Sequence, residues 1–416
     1  HYEMEQEEHD VYPDDPDFDI NKARLVTTAP RICVRYECVP MRFIKHVYRI
    51  HTYAQDGRLF EGKTPVSAFL NSSYDGSFIA GLMELRYIQS LPVERIINYF
   101  ESHGFTLKKP TAHKLMEKAS SLFENLYKCI RQTALGDPYK AADETYYKIL
   151  VPEKNSKGKG VRKGYLWVVV GINTRMIYLL YDDGSRSEKV ILNELGGCKG
   201  IIQSDGYSPY RKLESDAYPH ITRIPCLQHI KRKFIDCGED EPDAKRIVEL
   251  INTLYQNEHK HKIGVDGWTV EQNLVHRKKY APDILGEIKD VLDDIEERGD
   301  LLPKSELKEA VTYLRNEWNA VVDIFNYGDT YLDNNIVERM NRYISLSRKN
   351  SLFFGSHKGA ERGAILYTIA LTCRMNKVNL FEYLTDVINR TAEWQPNTPL
   401  EKYRQLLPDR WEKAND

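Results

Sequence analysis

The 416-residue chain lacks any apolar run approaching the ~20 residues of a membrane-spanning helix, and no signal-peptide pattern opens it. These absences argue against an integral membrane protein and predict a soluble, cytoplasmic one. Cysteine is scarce. The seven (33, 38, 129, 198, 226, 237 and 373) form an odd, scattered set that fits reduced thiols and argues against a disulfide framework. A strong charge of one sign is missing too, since the net charge is −2. Basic residues are absent from one place in particular. Residues 1–19 hold nine Asp and Glu and no Lys or Arg, so the remainder carries +7. An acidic leader on a basic body is compatible with DNA binding. The leader, 1–21, is expected to be disordered. A chain that opens on His1 is expected to be numbered from inside a longer polypeptide.

What is present divides by texture. Residues 22–63 alternate like short strands of a small β module. Cys33 and Cys38 are five apart, as are His46 and His51. A zinc site can be drawn through them, but the tight C-x₂-C knuckle is missing, so they are taken as ordinary residues of a degenerate zinc-finger-like module. Residues 64–136 are patterned as helix: Ser77–Ser90, Pro92–His103 and Thr111–Ala134 are amphipathic. Pro92 suits a first helical position and Gly104 a C-terminal stop. This region is either helix-turn-helix-like, with its second helix on DNA, or a plain bundle linking two domains.

From Asp137 the pattern turns to β. ETYYKILV, KGYLWVVVGINT and RMIYLLYDD predict an antiparallel meander. A helix over Ser187–Leu195, the strand GIIQSD and a last strand within ITRIP follow, then a basic helix. That order predicts an α/β protein with a mixed sheet of ribonuclease-H-like type. Asp143 falls at the mouth of the first strand and Asp205 at the end of the fourth. The core spans 137–240 and resumes at 327–390 with a later helix and the C-terminal helices. The helical stretch 241–326 is an insertion, and 391–416 is a tail.

The later helix lies in Tyr331–Asn350, with Asp333 as its expected N-cap and Ile336, Met340, Tyr343 and Ile344 as its buried stripe. Glu338 shares a polar face with Asn334 and Arg342. By itself the stretch is explained by a solvated helix with a Glu–Arg pair. The two upstream aspartates change that reading. Two strand-borne aspartates and a helical glutamate offer the hard oxygen donors that hold two divalent cations, Mg²⁺ or Mn²⁺. Such a pair, about 4 Å apart, activates a water or a 3′-hydroxyl and stabilises the leaving oxygen of a phosphodiester.

Six pieces then occur in order: ADET (142–145), GYLWV (164–168), QSDGYSPY (203–210), CLQHIKRKF (226–234), DNNIVER (333–339) and RKNSLFFGSHKGA (348–360). On these the chain resembles, over roughly residues 64–390, the bacterial transposases of the insertion-sequence-sixty-six family within the DDE superfamily. The resemblance implies that Asp143, Asp205 and Glu338 are the metal-binding acidic triad. It implies an enzyme that cuts at transposon ends and joins the freed 3′-hydroxyl to target DNA. Double-stranded DNA is the implied partner, bound by a homodimer or higher oligomer with small accessory proteins, on the bacterial nucleoid. The departure is at the amino end, where Ile50 and Tyr53 stand in place of expected cysteines.

Other residues are weighed around this triad. Lys231, Arg232 and Lys233, with Arg339, Arg342, Arg348, Lys349 and Asn350, are expected at the DNA backbone. Phe353 and Phe354 are expected in the core. Cys226 and His229, spaced C-x₂-H, make half a metal site with no second pair at zinc spacing, so a structural or substrate-contacting role is preferred. His229 and Asn334 are read as supports for the catalytic carboxylates. Glu144 points to the opposite strand face from Asp143 and is set aside as a ligand. Trp268 is taken as packing in preference to a wedge against a flipped base. Two other classes stay open: a nuclease of the same fold that hydrolyses without joining, and a catalytically silent DNA-binding remnant.

Overall fold

A computed structural model describes residues 41–47, 49, 52–55, 58–61, 67–69, 72–154, 158, 160–299, 301–395 and 397–413. The chain divides into two compact units, 1–44 and 45–416. Of the first, residues 41–44 are described and carry no regular secondary structure. The leader, and Cys33, Cys38 and His51 of the zinc site drawn from the sequence, lie outside the described residues.

The second unit begins with two strands, β1 (Thr52–Gln55) and β2 (Arg58–Glu61), paired antiparallel. Helix α1 (Gly76–Met83) is capped by Asp75, whose carboxylate accepts from the Phe78 amide, and continues into a π-helical turn over Glu84–Ile88. Then come α2 (Val93–Ser102), α3 (Lys109–Leu122) and α4 (Glu124–Leu135). Pro92 is the N-cap of α2, one place before the first helical position expected for it. The single helix expected over 111–134 is two. The Ser120 and Ser121 hydroxyls both donate to the Glu117 carbonyl, competing with the helical ladder just before the break at Phe123.

The central sheet uses β3 (Tyr139–Leu150), β4 (Val161–Gly171), β5 (Met176–Leu180), β6 (Gly200–Ser204) and β7 (Ile221–Pro225) in the order β5-β4-β3-β6-β7. The first three pair antiparallel; β6 runs parallel to β3, and β7 parallel to β6. The fold is therefore mixed α/β, as the alternation predicted. Asp143 is not at the mouth of β3 but its fifth residue, because pairing begins at Tyr139. Helix α5 (Glu188–Leu195), capped by Ser187, crosses from β5 to β6. The short α6 (Ser208–Arg211) and a 3-10 turn (Lys212–Glu214) connect β6 to β7.

Helix α7 (Leu227–Asp236) leaves β7, and the insertion supplies α8 (Pro242–Glu258), α9 (Val270–Arg298) and α10 (Glu306–Ile324). One apolar core joins Ile230 and Phe234 of α7 to Leu254, Leu292 and Leu314 of these helices. The chain then returns as α11 (Asn335–Asn350), α12 (His357–Met375), α13 (Leu380–Thr391) and α14 (Leu400–Gln405). Helix α12 seals the outer edge of β5. Thr368 Oγ1 accepts from the Leu179 amide at 2.9 Å, and Thr372 Oγ1 donates to the Ile177 carbonyl at 2.9 Å. Two threonines one turn apart thus satisfy edge groups that a further strand would otherwise pair with. Among the described residues no helix is long and apolar enough to cross a membrane.

Candidate acidic site and nucleic-acid interface

Asp143 sits on the half-buried middle stretch of the central strand β3. Its Oδ1 accepts from the Glu144 amide at 2.8 Å, and its Oδ2 accepts from Asn341 Nδ2 of α11 at 2.6 Å. Burial, reinforced by the nearby charges of Glu144 and Asp205, pushes its carboxyl up to about 8, against the two hydrogen bonds. Strand alternation set Glu144 aside, yet its charge acts on Asp143 and is acted on by Asp205. The Glu144 carboxylate pairs with Arg186 at 2.5 Å and accepts from the Tyr210 hydroxyl at 3.3 Å. Arg186 lies over the Tyr207 ring, 4.2 Å from its centroid.

Asp205 follows the last residue of β6 and is held mainly through its backbone. Arg223 of β7 donates to the Asp205 carbonyl at 3.1 Å, and the Tyr207 amide donates to Asp205 Oδ1 at 3.1 Å. Arg223 is fully buried and pairs with Glu317 of α10 and with Glu214. The next residue, Gly206, donates its amide to the Tyr313 hydroxyl of α10 at 2.8 Å. A Cβ at Gly206 would stand 2.5 Å from that oxygen, so only glycine lets the turn rest on the tyrosine. The insertion therefore builds the seat of Asp205. Sequence reasoning missed Arg223, Tyr313 and Glu317, because none lies in a recognisable motif.

Glu338 occupies the first turn of α11, one turn before Asn341. The N-cap is Asn334, one residue later than expected; Asp333 Oδ1 accepts from the Asn335 amide. Asn334 is buried, and its Nδ2 donates to the Ala142 carbonyl beside Asp143 at 3.1 Å. Its own amide donates to Cys226 Sγ at 3.2 Å. The buried face of α11 is Val337, Ile344 and Ser347, with Ile336, Met340 and Tyr343 half-buried, so the stripe is rotated from that expected. Glu338 pairs with no arginine among the described residues. Its neighbour is His229, whose Nε2 lies 3.8 Å from Glu338 Oε1.

The residues expected at the DNA backbone separate into two groups. Arg232, Lys233, Arg339, Arg342 and Lys349 are exposed, Lys231 is half-buried, and none forms an ion pair with a described residue. Arg348 and Asn350 are instead tied to the protein. Arg348 donates to the Tyr146 carbonyl at 2.5 Å and lies over that ring, 3.9 Å from its centroid. Asn350 Nδ2 donates to the Ser90 carbonyl at 3.1 Å. Phe354 is buried as expected, but Phe353 is exposed. Trp268 packs flat on His261, with ring centroids 3.8 Å apart.

The donor set fits hard divalent cations. Asp143, Glu144 and Asp205 bring like charges together, and Glu338 Oε1, Asn334 Oδ1 and Asn341 Oδ1 are buried without hydrogen-bond partners. A mixed sheet that brings Asp143 of a central strand within reach of the charge of Asp205 at a strand end, with a later helix bonded to Asp143 through Asn341, defines a carboxylate-centred α/β protein. Residues 71–362, more than half of the chain, match the family described as Transposase IS66 family, and the chain belongs to that family. It is also similar to proteins of Sinorhizobium fredii (strain NBRC 101917 / NGR234). The uncharacterized protein y4jD is 25% identical over 346 residues, 80% of this chain and 65% of that protein. The uncharacterized protein y4hP is 24% identical over 438 residues, 95% of this chain and 76% of that protein. The uncharacterized protein y4qI is 26% identical over 384 residues, covering 88% and 69%. The chain thus spans less than two thirds of the length of y4jD.

Proposed function

We propose that this chain is a DDE transposase that cuts DNA at transposon ends and joins the freed 3′-hydroxyl to target DNA. The observation that carries the reading is the side-chain bond from Asn341 of the Glu338 helix to Asp143, whose carboxyl also feels the charge of Asp205. The strand order, three antiparallel strands followed by two parallel ones, supports a ribonuclease-H-like assignment. Asp143 and Asp205 would hold two divalent cations, Mg²⁺ or Mn²⁺, with Glu338 completing one shell. Bound there, such a pair supplies Lewis acidity for the scissile phosphate and for the attacking water or 3′-hydroxyl.

The chain's own groups do the positioning. Asn341 orients the Asp143 carboxylate, and Arg223 fixes the backbone that carries Asp205. Arg186 neutralises Glu144, so that Asp143 and Asp205 are the acids left for cations. Arg232, Arg339, Arg342 and Lys349 supply exposed positive charge for DNA phosphates. Helices α2 and α3 are the second DNA-binding region of this reading. Assembly as a homodimer or higher oligomer on double-stranded DNA, with small accessory proteins in a bacterial cytoplasm, completes it.

The test is a strand-transfer assay with Mg²⁺ or Mn²⁺ on DNA bearing the flanking ends of the source locus, with Asp205→Asn alongside. Metal-dependent joined product, absent in the variant, is expected. Nicking without joining would identify a nuclease, and DNA binding without cleavage a silent remnant. In binding assays, Arg339→Ala or Arg342→Ala should each reduce the salt slope by about one, whereas Arg348→Ala should leave that slope unchanged and lower stability.

A further inference from the structure

Beside the acidic cluster lies a second donor set of different chemistry. Cys226 Sγ, one ring nitrogen of His229 and a carboxylate oxygen of Glu338 all lie within 4.8 Å of one another. Cys226 and His229 come from the start of α7, and Glu338 from the first turn of α11, so two elements distant in sequence converge. We propose that Cys226, His229 and Glu338 form a binding site for a zinc-class transition-metal cation that shares Glu338 with the acidic cluster.

Three observations support the site. Glu338 Oε1 is buried without a hydrogen-bond partner, and the 3.8 Å between it and the facing His229 Nε2 is too long for a hydrogen bond. That separation is about half an ångström longer than the N···O edge of a tetrahedral zinc shell, roughly 3.3 Å for bonds of ~2.0 Å. The sulfur accepts the Asn334 amide at 3.2 Å; burial pushes the Cys226 thiol up to about 11 in spite of the backbone amides around it, so a cation binds there with release of that proton. The donors select the ion. A thiolate and an imidazole favour Zn²⁺ or Co²⁺ over Mg²⁺, and three protein ligands leave a fourth position for water. The C-x₂-H spacing, which lacks a second pair in the sequence, is completed by Glu338 across the fold.

Cobalt titration of the full chain, followed by absorption spectroscopy, tests this without any DNA reaction. One equivalent of Co²⁺ is expected to produce a thiolate-to-cobalt charge-transfer band attributable to Cys226, displaced by Zn²⁺ and not by excess Mg²⁺. Cys226→Ser should remove that band, and His229→Ala should weaken cobalt binding at least tenfold, with circular dichroism unchanged. If Cys226→Ser unfolds the chain, His229→Ala alone decides, because that side chain is only half-buried. Failure to form a thiolate band, a spectrum undiminished by Cys226→Ser, or wild-type affinity in folded His229→Ala would each overturn the proposal. Retention of the band in Asp205→Asn separates this site from the proposed transposase reading, which stands or falls on strand transfer.

Discussion

Asp143 and Asp205 sit within electrostatic reach of each other yet are held in opposite ways. Asp143 is gripped by its side chain: both carboxylate oxygens accept hydrogen bonds, one from a helix almost two hundred residues away. Asp205 is gripped chiefly by its backbone, whose carbonyl accepts from buried Arg223 and whose following amide meets Tyr313. The difference teaches where each acid's cost falls. Burial and like charge penalise Asp143 itself, whereas the burial cost around Asp205 falls on the Arg223–Glu317 pair behind it.

The largest effect should come from breaking the backbone grip. Glu317→Ala leaves Arg223 buried with only the more exposed Glu214, and should cost about 3–5 kcal/mol in denaturant unfolding. Asp205→Asn keeps the carbonyl anchor, so its unfolding midpoint should stay near wild type while cleavage is lost.

The side-chain grip should respond with the opposite sign. The Asp143 carboxyl rises from an ordinary 3.8 to about 8, so the folded chain holds a proton that the unfolded chain releases between those values. The stability this contributes is intact below pH 3.8 and is lost as pH rises to about 8. Asp143→Asn should flatten that slope. At pH 8 it should raise stability by on the order of 1 kcal/mol, roughly 1 °C in Tm for a chain of this length, because a flipped Asn341 can accept from the new amide. For the same reason Mg²⁺ should stabilise the wild-type chain more at pH 8 than at pH 6, and Asp143→Asn less at either; differential scanning calorimetry checks both.

The smallest effect concerns the lead-in to α11. Arg277 of the insertion donates to the Thr330 carbonyl at 2.6 Å and pairs with Glu258. Burial raises the Glu258 carboxyl, but the hydrogen bonds and charge of Arg277, with Tyr280 and Asn273, outweigh it and leave it below its ordinary value. Its contribution is present above the ordinary carboxylate range and is lost as pH falls through the lowered value. Hydrogen exchange at acid pH should therefore rise first in α8, α9 and residues 324–331, before the sheet exchanges.

Much of the frame was legible because strand alternation and helix punctuation are local signals. The mixed sheet, Ser187 ahead of α5 and Gly104 after α2 follow from them. Asp143, Asp205 and Glu338 could be put forward as candidates because each stands in a short, distinctive stretch. Their supports could not. Tyr313 and Glu317 sit in an ordinary amphipathic helix, and Arg223 in an apolar strand; each acquires its role only when α10 packs on β7. Glu144 was set aside on alternation alone, which is silent about charge acting across a strand. The buried face of α11 was misplaced because Asn334, Cys226 and the Ala142 carbonyl fix its rotation through contacts more than a hundred residues apart.

The bond between Asn341 and Asp143 spans 198 residues. At ribosomal speeds of ~5–20 residues per second, the second side chain emerges roughly 10–40 s after the first. Throughout that interval β3 can pair with β4 while lacking the helix that orients its acid. On the proposed reading, a half-synthesised chain on its message would therefore be chemically unarmed, and a truncated product ending inside the insertion should nick no DNA.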